Sequence, residues 1–120
     1  MDATSSEASP LEVRMLRSGE GDVVTVELTG ELDRGTTRRL CAAVALARRV
    51  AARTVIVDTM GLTFVDLGGY RSLLVACGRR QRKRPLNVVL LPGQAIHRLQ
   101  GMLARCDGAA TSSGNATAAA

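Results

Sequence analysis

The chain contains few side chains of the types that carry catalysis. Its single histidine, His97, falls on the solvent side of a predicted helix, with no acidic residue or cysteine beside it to form a catalytic pair. The pattern D-T-M-G at Asp58–Gly61 follows a predicted strand, as D-x-x-G does in GTPases, but no G-x-x-x-x-G-K-[ST] loop precedes it to hold phosphates. The sequence therefore predicts a protein that is not an enzyme and that binds no cofactor.

Three cysteines, Cys41, Cys77 and Cys106, lie far apart in the sequence and include no C-x-x-C pair. An odd number of widely spaced thiols predicts neither a disulfide scaffold nor a zinc site, and no metal is expected. Cys41 and Cys77 fall on or near apolar helical faces, which favours reduced thiols that pack in the core. The alternative is a redox switch, for which Cys77 and Cys106 are the candidate thiols.

The densest cluster of charge contains five cations near the end of the second predicted helix: Arg79, Arg80, Arg82, Lys83 and Arg84. Together with the net charge of +5, this cluster would permit binding to nucleic acid. However, the cations are spread around the helix instead of lining one face, and only 2% of the residues are aromatic and could stack on bases. A solvated helix end is the favoured interpretation, and a nucleic-acid partner is the disfavoured alternative.

The elements that position these residues fit into one domain. A chain of 120 residues is long enough for one buried core and too short for two ordinary domains. Residues 1–10 and 108–120 lack apolar periodicity, which predicts a disordered N-terminal tail and a flexible Ala/Ser/Thr tail around a domain at 11–107. No apolar run reaches the roughly 20 residues that span a bilayer, so we expect a cytoplasmic protein without membrane contact.

Alternation and helical spacing predict the first elements. Residues 11–15 and 24–28 alternate apolar and polar side chains on either side of the turn-forming residues 18–22, which predicts a β-hairpin. Residues 36–52 are predicted to form the first helix, and the cations near its end, including Arg48, suit the negative end of the helix dipole. The apolar face of this helix is expected to contain Leu40, Val44, Ala47 and Ala51.

The middle of the chain is predicted to form a strand and a second helix. Residues 54–58 are a β-branched run, typical of a central parallel strand that is buried on both faces. A turn is predicted at Met60-Gly61. Asp66 can cap a helix that ends before Pro85. The apolar face of this helix is expected to contain Leu67, Tyr70, Leu73, Leu74 and Cys77.

The last elements are a strand and a third helix. Residues 86–91 repeat the pattern of a buried strand, and Pro92-Gly93 begins the helix. The apolar side of this helix is expected to contain Ile96, Leu99, Leu103 and Cys106. The order β-β-α-β-α-β-α predicts a single α/β domain, in which a β-hairpin followed by βαβαβ forms a mixed sheet with helices packed on it.

Two segments lie where open α/β sheets place their binding sites. Gly30–Asp33 (G-E-L-D) follows the second strand, and Leu62–Gly69 (L-T-F-V-D-L-G-G) leads into the second helix. Both are expected at the carboxyl ends of parallel strands. Together with the order of elements over residues 23–107, they resemble the STAS-domain anti-sigma factor antagonists. That family has G-x-L-D before its first helix and T-F-[IV]-D-S-S-G-L at the start of its second.

The resemblance implies a STAS-like fold and a mechanism called partner switching. Such a module binds an anti-sigma factor, usually a serine kinase of the histidine-kinase-like ATPase type, and so frees a sigma factor. The kinase reverses this by phosphorylating a serine at the start of the second helix. Gly68 occupies that phospho-acceptor position here, so the usual off-switch has no hydroxyl to act on. The alternative is that Gly68 and Gly69 only permit a tight strand-to-helix turn.

The resemblance also implies a partner-binding surface, with Asp33, Asp66, Leu67, Gly68, Gly69, Tyr70 and Arg71 as the candidate contacts. Two alternatives remain, a STAS-type signalling or scaffold module with another protein partner and a basic nucleic-acid-associated protein. Family members commonly continue into another strand and helix where this chain runs into its C-terminal tail. We therefore expect an uncovered sheet edge that favours weak self-association.

Overall fold

The computed structural model describes residues 10–78 and 86–107. The basic cluster at 79–84 and most of both predicted tails lie outside these residues. Pro10, assigned to the N-terminal tail, accepts a hydrogen bond from the Glu31 N–H group at 3.0 Å. No helix in the two described ranges is long and apolar enough to cross a membrane.

The predicted hairpin is confirmed. Strand β1 (Leu11–Ser18) pairs antiparallel with strand β2 (Val23–Leu32). A single 3-10 turn at Gly19–Gly21 joins them. Both of its glycines have left-handed φ angles, +60° at the first and +93° at the last, which explains why glycine is used at these two positions.

One mixed sheet has the strand order β1-β2-β3-β4. Strand β3 (Thr54–Val65) is parallel to both β2 and β4 (Asn87–Leu91), so the prediction of a central parallel strand is confirmed. Helices α1 (Thr37–Val50), α2 (Leu67–Gly78) and α3 (Gln94–Asp107) follow β2, β3 and β4 in turn. This order confirms the predicted single α/β domain with a hairpin followed by βαβαβ.

Strand β3 is longer than predicted. It continues beyond Asp58 to Val65, and the turn predicted at Met60-Gly61 is wrong. The physical reason is that β2 also extends and pairs with this part of β3 through two register shifts. A Cβ at Gly61 would lie 2.9 Å from Thr29 Oγ1, so this glycine permits a close approach of two strands and does not form a turn.

The hydrophobic core lies between one face of the sheet and the helices. The sheet contributes Val24, Val26, Leu28, Val55 and Val57, all buried. The four apolar positions predicted for the first helix are buried as well, so its predicted face is confirmed. Strand β4 is covered less than predicted, because Val89 and Leu91 lie on the sheet face opposite the core and are exposed. It is also an edge strand of the described sheet.

The apolar face predicted for helix α2 is confirmed only in part. Gly69, Leu73 and Ala76 are its buried residues, whereas Leu67 and Leu74 are exposed. Two of the buried positions carry small residues, which allow the helix to approach the sheet closely. A face assigned from bulky side chains therefore misses them. Tyr70 and Cys77 are half-buried.

The apolar side of α3 is confirmed in part. Ile96 is fully buried, Leu99 and Leu103 are half-buried, and Cys106 is exposed. The helix therefore packs firmly near its start and leaves apolar side chains accessible along its later turns.

Arg48 has a role that the sequence does not predict. It lies in the last turn of α1, but its side chain is buried. Its Nη2 donates hydrogen bonds to the carbonyl oxygens of Ala76 at 3.1 Å and Cys77 at 3.2 Å. Carbonyls in the last turn of a helix lack intrahelical donors. The guanidinium therefore stabilises the end of the neighbouring helix α2. Its positive charge also interacts favourably with the dipole of its own helix, α1.

Candidate functional site

The two segments singled out in the sequence meet at one edge of the sheet. Asp33 directly follows β2 and Asp66 directly follows β3. The Asp66 N–H group donates a hydrogen bond to the Leu32 carbonyl oxygen at 3.1 Å, which ties the two strand ends together. Both segments therefore lie at the carboxyl ends of parallel strands, as expected, where α/β sheets form binding sites.

The turn after β2 is held by its own side chains. Asp33 Oδ1 accepts a hydrogen bond from the Gly35 N–H group at 2.8 Å, and the Asp33 N–H group donates to Thr36 Oγ1 at 2.9 Å. Thr36 is buried, and its hydroxyl also lies 3.2 Å from the Glu31 carbonyl oxygen that it can donate to. Asp33 is half-buried in this turn, so part of its carboxylate holds the loop and part remains accessible to a partner.

The start of α2 is capped as predicted. Asp66 Oδ1 accepts a hydrogen bond from the Gly69 N–H group at 2.7 Å. This contact satisfies one of the free N–H groups at the helix N-terminus. The Tyr70 N–H group begins the helical pattern with a bond to the Asp66 carbonyl oxygen at 2.9 Å.

The two glycines after Leu67 differ in their surroundings. Gly69 is buried, and a Cβ there would lie 2.5 Å from the Leu32 carbonyl oxygen, so only glycine fits. Gly68 is half-buried, and a Cβ would meet Asp66 Oδ1 at 3.6 Å and Arg34 Nε at 3.9 Å, which are ordinary contacts. Its φ angle is not left-handed. The requirement for glycine in this turn therefore holds for Gly69 and not for Gly68, where the backbone accepts a side chain.

The structure places the remaining predicted contacts on two sides of the helix start. Leu67 and Arg71 are exposed. Tyr70 is half-buried, and its hydroxyl accepts a hydrogen bond from Gln100 Nε2 at 3.1 Å, which links α2 to α3. Gly69 faces the inside of the domain, so it supports the surface without forming part of it.

Sequence reasoning missed Arg34. Its guanidinium lies beside Gly68, although the two residues are far apart in the chain. Arg34 directly follows the G-E-L-D segment, and nothing else in the neighbouring sequence indicates a functional role for it. The parallel pairing of β2 with β3 brings this cation to the start of α2.

The three thiols are free and are less buried than expected. Cys41 and Cys106 are exposed, so the prediction of core packing is wrong for Cys41. Cys77 is half-buried, and desolvation by burial raises its pKa to about 11, an effect that the nearby Arg48 guanidinium opposes. The Cys77 thiol is therefore protonated at neutral pH, which makes it a slow nucleophile.

Within residues 10–78 and 86–107, no group of three or more His, Cys, Asp or Glu side chains is placed to hold a metal ion. His97 is exposed, as predicted, on the outside of α3. What the described site offers is a surface at the helix start, with the apolar side chain of Leu67, the cations Arg34 and Arg71, and the accessible backbone of Gly68.

Comparisons with known proteins bear on the family and the fold. A family model described as "Mlab, STAS domain" matches residues 15–107. A search of curated protein sequences found no match.

Among solved structures, the chain is similar to an antisigma-factor antagonist STAS domain from Rhodobacter sphaeroides. The identity is 19% and the TM-score 0.57, over 69% of this chain and 87% of that one. It is also similar to an anti-sigma factor antagonist from Mycobacterium paratuberculosis, at 17% identity and a TM-score of 0.60, over 82% and 81% of the two chains. These likenesses show a shared fold.

Proposed function

Because the chain belongs to the STAS domain family, we propose that it is an anti-sigma factor antagonist, a module that acts by binding a protein and not by catalysis. One observation carries the proposal: the G-E-L-D turn and the start of α2 meet at the same sheet edge, joined by the Asp66–Leu32 hydrogen bond. The two structural relatives described above are themselves named anti-sigma factor antagonists, which supports the same role. Such a module works in the cytoplasm, where transcription occurs.

The proposed contact surface is the start of α2 with the adjoining turn. Its exposed side chains are those of Leu67 and Arg71. Asp33, Gly68 and Tyr70 lie beside them and are half-buried. Gly68 has no side chain, so a partner can approach the helix start closely and bury the apolar side chain of Leu67. Burial of apolar area at the centre of an interface supplies most of the free energy of binding. The charged residues around them, including Arg34, would set the orientation of the partner.

The proposed partner is an anti-sigma factor of the serine-kinase type. Binding of the chain to this factor would release the sigma factor that it holds. In the family, phosphorylation at the start of the second helix ends this binding. It needs a hydroxyl group, which Gly68 lacks. We therefore infer an antagonist that its kinase does not switch off at this position.

The absence of that hydroxyl also favours a second candidate within the same family. A chain that no kinase modifies at position 68 could serve as a signalling or scaffold module whose protein partner is not a kinase. The partner-binding surface would be the same, and the chemical identity of the partner decides between the two functions.

Affinity capture from the native cytoplasm, followed by mass spectrometry, identifies the partner. The wild-type chain and the Leu67→Glu variant are used side by side, because Leu67 is exposed and its replacement should leave the fold intact. The expected result is an anti-sigma factor that is captured by the wild type and lost by the variant. The purified partner should then release its sigma factor when the wild-type chain is added.

Two outcomes contradict parts of the proposal. Capture of a protein without sigma-binding activity, again lost in Leu67→Glu, would support the scaffold function instead. Equal capture by both chains would remove the start of α2 as the contact surface.

A further inference from the structure

An apolar groove runs along α3 beside the second motif segment. It lies between this helix and residues 63–67 at the end of β3 and the start of α2, and it has a cavity volume of about 520 Å³. Its apolar lining includes Phe64, Leu67, Ala95, Leu99, Met102 and Leu103. Ligand sites in proteins are concave, mostly apolar and roughly 300–1,000 Å³ in volume, so the groove has the size and lining of such a site.

Several large apolar side chains that line this groove are exposed to solvent. Met102 is 52% exposed, Phe64 48% and Leu67 40%. These three residues come from a helix, a strand end and a helix start, yet they converge on one cavity. Contiguous exposed apolar area of this kind marks a binding surface more often than scattered single residues do.

The shape of the groove fits a linear ligand. Its lining on α3 runs from Ala95 to Cys106, and at about 1.5 Å per residue this is a length of about 16 Å. An apolar cavity of about 150 Å³ holds a benzene ring of six carbons, so 520 Å³ holds roughly 20 carbon atoms. An α-helix with its side chains is about 10 Å in diameter and would enter the groove along one face only. An extended alkyl chain fills the volume better.

The charges at the groove favour a negative head group. Arg98 and Asp66 are the two charged residues in the lining. The Asp66 carboxylate already accepts the hydrogen bond from the Gly69 N–H group that caps α2. Arg98 is exposed at the rim and forms no ion pair with any described residue. The Arg98 guanidinium is therefore the cation of the lining that can pair with a negative head group.

We propose that this groove binds one long-chain alkyl carboxylate, of the fatty-acid class, with its chain along α3 and its head group paired with Arg98. Met102 and the leucines suit such a ligand, because flexible apolar side chains adapt to a chain without a fixed shape. The site goes beyond the proposed protein-binding function. It shares Leu67 with the partner surface, so occupancy of the groove would alter the apolar side chain that the partner contacts.

The test is calorimetric titration of the full chain with dodecanoate below the concentration at which micelles form. Saturable binding of one dodecanoate per chain is expected. Octanoate should bind about tenfold more weakly, because four methylene groups at about 0.8 kcal/mol each are lost from a half-open groove. Dodecanol, which has the same chain without the charge, and Arg98→Gln should each weaken binding about three- to fivefold, the size of one exposed ion pair.

A matched pair of variants locates the ligand. Met102→Glu puts a carboxylate into the groove and should weaken dodecanoate binding by more than tenfold. Leu46→Glu makes the same change on α1, at a residue that is 51% exposed and outside the groove lining, and should change the affinity less than twofold. Both positions are exposed, so circular dichroism should show both variants folded.

Several results would overturn the proposal. One is the absence of saturable dodecanoate binding, and another is equal loss of binding in Met102→Glu and Leu46→Glu. A third is a wild-type dimer in sedimentation that Met102→Glu dissociates, without dodecanoate binding, since the groove would then hold a second copy of the chain. None of these measurements uses an anti-sigma factor, so the ligand site and the proposed function fail independently.

Discussion

Replacing Gly68 by aspartate should leave the domain folded while it weakens binding of the protein partner by at least tenfold. The substitution places a carboxylate at the position that we propose corresponds to the phospho-acceptor serine of the family. The structure allows the effects on folding and on binding to be worked out separately. The outcome tests whether the start of α2 is the partner surface.

The free energy of unfolding should change little. A Cβ at position 68 meets its nearest neighbours at 3.6 Å or more, and the φ angle is not left-handed, so no strain is introduced. Replacing a helical glycine gains a few tenths of a kcal/mol in propensity, and a carboxylate in the first turn gains about 0.3–1 kcal/mol from the helix dipole. Attraction to Arg34 and repulsion from Asp66 have opposite signs, and each is worth at most about 1 kcal/mol at an accessible position. The expected net change is a stabilisation of about 0.5–1 kcal/mol.

The affinity for the partner should fall by much more. A charge that an interface buries without a partner commonly costs about 2–5 kcal/mol. Arg34 lies close enough to offset part of this penalty. A remaining loss of about 1.4 kcal/mol or more corresponds to at least a tenfold rise in Kd.

Two assays separate the effects. Urea denaturation followed by circular dichroism gives the midpoint and stability of the variant, and calorimetric titration with the captured partner gives its Kd. Gly68→Asn is the matched control, because it has nearly the same shape as aspartate without the charge. Its affinity should lie between those of the wild type and Gly68→Asp.

A natively folded Gly68→Asp chain that binds its partner with unchanged affinity would refute the reasoning, since the start of α2 could not then be the contact surface. Equal losses in the aspartate and asparagine variants would show that volume, and not charge, is decisive at this position.

Four further predictions concern the same region and the thiols. With a cognate kinase and ATP, the wild type should remain unmodified and Gly68→Ser should gain one phosphate by mass spectrometry; phosphate on the wild type would contradict the lost switch. Gly69→Ala should destabilise the domain by about 1–3 kcal/mol in urea because its Cβ overlaps a backbone oxygen, whereas Gly68→Ala should not. A thiol reagent at pH 8 should label the exposed Cys41 and Cys106 quickly and Cys77 slowly. Since burial raises the pKa of Cys77 from 9.0 to about 11, stability should fall as the pH rises from about 9 to 11, and a pH-independent denaturation midpoint there would argue against a buried thiol.

Most elements of the fold could be predicted because their signals are local. Side-chain alternation and turn residues gave the β1–β2 hairpin, and apolar spacing gave the face of α1. The cap at Asp66 needs only the residues next to it, and its bond to the Gly69 N–H group is present. The order of these elements is enough to predict the α/β class and to place the two motif segments at one sheet edge.

Features that depend on contacts with residues distant in sequence could not be predicted from local patterns. Strand β3 continues past Gly61 because the end of β2 pairs with it, and a local pattern of methionine and glycine cannot report that pairing. The buried face of α2 is set by how closely the helix approaches Leu32, so Gly69 is buried although glycine carries no apolar side chain.

The amino-acid sequence by itself determined the elements, their order and the motif segments, because hydrogen bonding within helices, hairpins and caps depends on neighbours in the chain. The tertiary structure alone decided which surfaces those elements share. It places Arg34 beside Gly68, and it brings Arg48 within hydrogen-bond distance of the end of α2. It also forms the groove of Phe64, Leu67 and Met102 from three separate elements. Each of these contacts joins residues that are distant in sequence, so no local pattern of side chains could report it.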